Sequence, residues 1–420
     1  MRRRIANLRR NGLVWALLAA TVNFASIPGS AEAGPAPVIP GAAEQLYVFS
    51  AEKTAAPEVA APVPGEVAQP SARGPAGGYN ALIWTPAITG DWYEWWYYKV
   101  VVPGTADAFY FCYGVVNPWD ANQTKPASRS YVSAGSFGDN ETAERTFKPG
   151  DFSASSEATL VRVGGNQATD RMLKGRLTAP GGGEISWDLT VEKDWGVNLM
   201  AWTMSQGWLS NIYWYPAQAS ARMSGTINYR GRTISLKGAP AYQDRNWGRS
   251  FPKWWTWLVS NNFKNSPGTV LASGGGQPKI YPGVEPIQTV TIGLRHQGQE
   301  YLFRPTMGDI VTVDVNFGKW EVKARNKWGE RMEISAYAPR EKFLLLQFMT
   351  PQGKMYNDYE ALKGNIKVKL YKGAKLLADL ETEDGGIEFG SFASFDPKPD
   401  SGTSGEVGFY DLFSGENHLQ

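Results

Sequence analysis

Asp91-Trp92-Tyr93-Glu94-Trp95-Trp96-Tyr97-Tyr98-Lys99 carries the pattern from which the fold can be read. In an extended strand successive side chains point to opposite faces. Trp92, Glu94, Trp96 and Tyr98 then share one face, and Tyr93, Trp95, Tyr97 and Lys99 share the other. Both faces are aromatic, as expected of a wall between a packed layer and a pocket. Downstream, Ile366, Val368 and Leu370 alternate with Lys367 and Lys369. Ile227 and Tyr229 lead through an Arg230-Gly231 turn into Thr233 to Leu236, a hairpin signal. Val311 to Val315 and Trp320 to Ala324 form a second pair, joined through Asn316-Phe317-Gly318. From Tyr79 onward such segments recur between Gly, Asn, Asp and Pro turns, with no amphipathic helix longer than two turns. The pattern predicts an all-β chain of barrels or sandwiches.

Composition narrows the chemistry. The 420 residues include 17 Trp, 19 Tyr and 18 Phe, but only two His and one Cys. Cys112 alone forms no intrachain disulfide, and Cys-rich metal centres are out of reach. A Ser-His-Asp triad would have to be built on His296, because His418 stands two residues from the C-terminal end. Proton chemistry falls mainly to Asp, Glu, Tyr and Lys. Five Arg in the first ten residues, an apolar run from Leu13 to Ala25 and Ala31-Glu32-Ala33 read as a signal peptide over residues 1–33. Export to a periplasmic or extracellular compartment is the expectation. Without that segment 37 basic residues face 39 acidic ones, leaving no basic field for nucleic acid.

Residues 34–78 are rich in Pro, Ala and Gly and read as a disordered linker. Fourteen of the 17 Trp fall between Trp84 and Trp257, so the first half of the folded region needs large apolar surfaces. We place an N-terminal half at 79–248, a C-terminal half at 249–398 and a polar tail at 399–420.

Two segments carry candidate chemistry. Glu94 sits among indoles and a phenol, where burial would raise its pKa and make it a general acid; the alternative is a structural Glu paired with a nearby Arg or Lys. Ala239-Pro240-Ala241-Tyr242-Gln243-Asp244-Arg245-Asn246-Trp247-Gly248 reads as a loop leading into an aromatic strand. It places Tyr242, Asp244 and Asn246 beside Trp247. Asp244 beside Arg245 is either a proton-moving acid or an ion pair that pins the loop.

At these segments the chain resembles the tocopherol cyclases. Glu94-Trp95-Trp96-Tyr97-Tyr98-Lys99 is similar to their E-G-W-Y-x-K strand. Ala239-Pro240-Ala241-Tyr242-x-Asp244-Arg245-Asn246-Trp247-Gly248-x-x-Phe251-Pro252 is similar to their A-P-S-Y-x-E-K-N-W-G-x-x-F-P signature. Trp257-x-x-x-Asn261-x-Phe263 and Gly274-Gly275 follow in order, and weaker similarity reaches about residue 395. Asp244 stands where the cyclase pattern has Glu. The Glu-Trp-Trp-Tyr form is closer to the related carotenoid 1,2-hydratase and AttH-like branch.

The resemblance implies two lipocalin-like (calycin-like) antiparallel β-barrel halves and closure of a prenylated benzoquinol to a chromanol. The alternatives are water addition to an isoprenoid alkene, or a secreted carrier of isoprenoid lipids without catalysis. Under this reading Asp244 is the proton donor, Glu94 the second candidate, and Tyr242 and Asn246 orient the acid or the quinol hydroxyl. Trp92, Trp96, Tyr98, Trp247, Phe251, Trp255, Trp257 and Asn261 would contact the substrate. Neither metal nor other cofactor is required. The expected partner is a hydrophobic prenylated small molecule, with peripheral membrane contact at an aromatic pocket mouth. The oligomeric state is not readable. A sugar-binding reading would need exposed, coplanar indoles and a carboxylate pair at about 5–9.5 Å.

Overall fold

Strand pairing is antiparallel throughout the computed structural model, which describes residues 46–48, 78–179, 182–280, 289–316 and 318–393. The segment read as a signal peptide and the polar tail lie outside the described residues. So does 34–78 apart from Gly78 and Leu46–Val48, a short strand paired with Phe152–Ser155. A twelve-stranded sheet ends at Gly248 and a ten-stranded sheet begins at Trp254. Each curls into a nearly closed barrel-like half. The helical pieces among the described residues are short 3-10 turns, the longest Ala201–Ser205.

The hairpins follow their turn residues. Tyr229 pairs with Arg232 across Arg230 and Gly231, both at positive φ (50° and 76°), the conformation that two-residue hairpin turns need. Ile310–Asn316 pairs with Lys319–Arg325. Ile366, Val368 and Leu370 are fully buried, while Lys367 and Lys369 are exposed.

Three apolar layers result. Trp96, Phe109, Phe111 and Trp187 fill the first barrel. Trp254, Trp320, Ile366 and Phe389 fill the second. The third layer lies where the two sheets meet and includes Trp95, Tyr97, Phe251, Trp255 and Trp257. Strand Tyr93–Val101 is buried along its whole length because its two faces serve different layers. It runs between Ala108–Val116 and Arg232–Gly248. In the other sheet, Trp254–Ser260 runs between Val270–Gly276 and Lys375–Ser391.

Candidate functional site

A cavity of about 140 Å³ opens in the layer shared by the two sheets. Trp95, Tyr97, Trp214, Asp244 and Asn246 line it from the N-terminal sheet. Trp255, Trp257, Asp358, Glu360 and Glu388 line it from the C-terminal sheet. Indoles and buried carboxyls therefore share one enclosure.

The segment expected to be a loop at Ala239–Gly248 is the second half of strand Arg232–Gly248. Its period of two sends Tyr242, Asp244 and Asn246 toward the shared layer and Arg245 and Trp247 into the first barrel. Asp244 Oδ2 accepts hydrogen bonds from Trp214 Nε1 and from the Tyr242 hydroxyl, both at 2.8 Å. The Tyr242 oxygen in turn accepts from Trp257 Nε1 at 3.0 Å. Burial pushes the Asp244 carboxyl up to about 7, against the lowering effect of its two donors. Both donors converge on Oδ2, and Oδ1 takes no hydrogen bond among the described residues. With its amide turned so that oxygen and nitrogen meet complementary partners, Asn246 donates to the Tyr213 carbonyl and accepts from Trp95 Nε1, each at 3.2 Å.

The C-terminal wall is built in cross-strand rows. Trp255, Gly390 and Asp358 lie side by side on three neighbouring strands, and Trp257, Glu388 and Glu360 form the next row. Gly390 has no side chain, so the Trp255 indole crosses it and donates to Asp358 Oδ1 at 3.1 Å. On the other side, Gly274 leaves room for the Trp214 ring. A Cβ there would lie 2.9 Å from the indole, closer than packed atoms tolerate. Glu360 accepts from the Tyr97 hydroxyl, and Asp358 and Glu388 line the same cavity from neighbouring strands. Burial raises all three carboxyls, and the charge of Asp358 adds to the rise at Glu360 and Glu388. Buried Lys99 stands nearby, its Nζ 5.7 Å from the centre of the Trp257 ring. Burial pulls its pKa down to about 8, partly offset by Glu360 and Asp384. Among the described residues no three His, Cys, Asp or Glu are grouped to hold a metal ion.

Of the residues singled out in the sequence, the cavity collects Asp244, Asn246, Trp255 and Trp257, with Tyr242 immediately behind Asp244. Phe251 packs edge-on against Trp95 at 5.3 Å between ring centres. Glu94, Trp92, Trp96, Tyr98 and Trp247 occupy the first barrel's interior instead. Glu94 forms a fully buried ion pair with Arg245 and accepts from the Ile83 amide (3.1 Å) and Trp92 Nε1 (2.9 Å). This is the structural alternative for Glu94, and it also resolves Asp244 beside Arg245: the two are not paired. The Arg245 guanidinium lies 4.2 Å from the Trp96 ring centre. Asn261 ties the sheets by donating to the carbonyls of Ala221 (3.2 Å) and Ala241 (2.8 Å). Trp92 and Trp96 are 3% and 0% exposed, which removes them as sugar platforms. His296 contacts Thr269 Oγ1 at 2.9 Å and lines no part of the cavity.

Sequence reading missed Trp95, Tyr97, Trp214, Asp358, Glu360 and Glu388. A usable signal exists in Tyr356-Asn357-Asp358-Tyr359-Glu360-Ala361-Leu362, where two acids share one face of a strand with no solvent-facing pattern.

The tocopherol cyclase-like family profile matches residues 126–391, more than half of the chain. The chain belongs to the tocopherol cyclase-like family. A probable chloroplastic tocopherol cyclase of Oryza sativa subsp. japonica is 26% identical over 328 residues, covering 66% of this chain and 69% of that protein. The chloroplastic tocopherol cyclase of Zea mays is 24% identical over 413 residues, 85% of each. Among solved structures, kievitone hydratase from Nectria haematococca aligns at 13% identity over 72% of this chain and 89% of its own, with a TM-score of 0.42. In this tocopherol cyclase-like chain the signature segment is the cavity-facing strand that carries Asp244.

Proposed function

We propose that the protein closes the chromanol ring of a prenylated benzoquinol, beginning with proton transfer from Asp244 to a trisubstituted alkene. The observation that carries this reading is Asp244 itself. Its carboxyl is held half-protonated near neutral pH by burial, with one oxygen fixed by two donors and the other free toward the cavity. A general acid works best with a pKa near the working pH.

The surroundings suit the steps that follow. Protonation leaves a tertiary carbocation, which aromatic faces stabilise by about 0.5–2 kcal/mol each. The rings of Trp95, Trp255 and Trp257 line the same enclosure. Keeping bulk water from the cation favours capture by the phenol oxygen over hydration. Asn246, anchored to Tyr213 and Trp95, is placed to orient the quinol hydroxyl. The substrate is a hydrophobic prenylated molecule; export of the chain and peripheral contact with a membrane belong to the same proposal.

The test is incubation of the purified chain with prenylated benzoquinols and acyclic carotenoids, followed by product mass and ring analysis. Ring closure yields an isomer of unchanged mass. A product heavier by one water shifts the function to alkene hydration. Tight binding without product leaves a carrier.

A further inference from the structure

Asp244 explains the first proton transfer but leaves open where the phenol proton goes. Ring closure forms a C–O bond from the phenol oxygen, and that oxygen must lose its proton. The C-terminal wall holds a carboxyl pair, Asp358 and Glu388, which line the cavity from neighbouring strands. Two carboxyls set on neighbouring strands away from bulk water cannot both ionise cheaply, so together they hold one proton and keep room for a second. The Trp255 indole fixes Asp358 through Oδ1, and Glu388 lines the cavity that Asp244 Oδ1 faces unpartnered. Glu360 is committed to the Tyr97 hydroxyl and feels the charge of Lys99. The pair, rather than Glu360, is therefore the available acceptor.

We propose that the Asp358–Glu388 pair is the base of the reaction, taking the phenol proton as the C–O bond forms. This inference rests on the ring-closing reading. Asp244 gives its proton to the alkene carbon, and the phenol oxygen donates a lone pair to the tertiary cation. The O–H proton passes to the pair. Asp244 then lacks one proton and the pair holds one extra; return through solvent resets both, and the sum is an isomerisation.

The experiment is turnover of a prenylated benzoquinol in D₂O by wild type, E388Q and D358N. With the base impaired the cation forms but closes slowly, and returns to alkene by losing hydrogen to the Asp244 carboxylate. Both variants are expected to lose about 100-fold or more in ring closure, while recovered quinol gains deuterium in its prenyl chain. A merely structural role would not produce that partition. If E388Q does not fold, D358N carries the same readout. Wild-type closure with both folded variants closing at the wild-type rate, or losing closure and exchange together, overturns the inference alone. A wild-type chain that closes no ring overturns the functional reading and this inference with it.

Discussion

Asp244 and Arg245 are chain neighbours whose side chains serve two different interiors. Asp244 faces the cavity and meets Trp214 and Tyr242, whereas Arg245 is sealed in the first barrel against Glu94 and Trp96. One strand thus anchors the fold and presents the acid. The anchor also fixes the strand's register, because slipping by one residue would exchange the two faces.

Glu94→Gln separates structure from chemistry. It leaves the Arg245 charge buried without its counter-ion, and breaking such a pair costs about 3–5 kcal/mol. The expected result is a marked loss of stability in urea unfolding, with the folded fraction retaining its turnover number. A Glu94→Gln protein of normal stability and no activity would return Glu94 to the chemistry.

The pH dependence of stability follows from Asp244. Its carboxyl binds its proton up to about pH 7 when folded and only to about pH 4 when unfolded. Between those values the folded state holds more protons, so this contribution to stability is present below about pH 4 and is lost as pH rises through about 7. Asp244→Asn removes the loss. The variant is expected to match wild type in acid and to exceed it near pH 8, by up to about 4 kcal/mol. Unfolding curves across that range check the sign.

Turnover should fall as pH rises through about 7, because only protonated Asp244 can act. Trp214 stabilises the ionised form by its hydrogen bond. Trp214→Phe therefore raises the Asp244 pKa and moves the falling limb of the pH–rate profile upward. A downward or unchanged limb in a folded variant would contradict that assignment.

Gly274→Ala reaches the same bond from the other sheet. The added methyl would sit 2.9 Å from the Trp214 ring and must push the indole aside. The expected outcome is a folded protein destabilised by about 1–3 kcal/mol whose pH–rate limb moves in the same direction as that of Trp214→Phe.

Much of this was legible in the sequence, and the rest was hidden for identifiable reasons. Alternation in Asp91–Lys99, the hairpins and the absence of helical periodicity specify an all-β chain, and the family resemblance adds the two barrel-like halves. The signature strand brings Asp244, Asn246 and Tyr242 together. The choice of face was not legible, because Trp92, Trp96 and Tyr98 look as suitable for a pocket as Trp95 and Tyr97; only the second sheet decides which face it covers. Glu388 is brought beside Trp257 by a strand pairing more than a hundred residues apart, and Asp358 and Glu360 follow on the next strand out. Gly274 and Gly390, strand partners of Trp257 and Trp255, serve as space for the indoles of Trp214 and Trp255.

The central claim is that Asp244 starts ring closure inside this cavity. Its most direct measurement is single-turnover conversion of a prenylated benzoquinol by wild type and Asp244→Asn, with quinol binding measured alongside. Wild type is expected to form the chromanol, and Asp244→Asn to bind the quinol with little change while closing it at least about 100-fold more slowly. Chromanol formation by Asp244→Asn at the wild-type rate would contradict it.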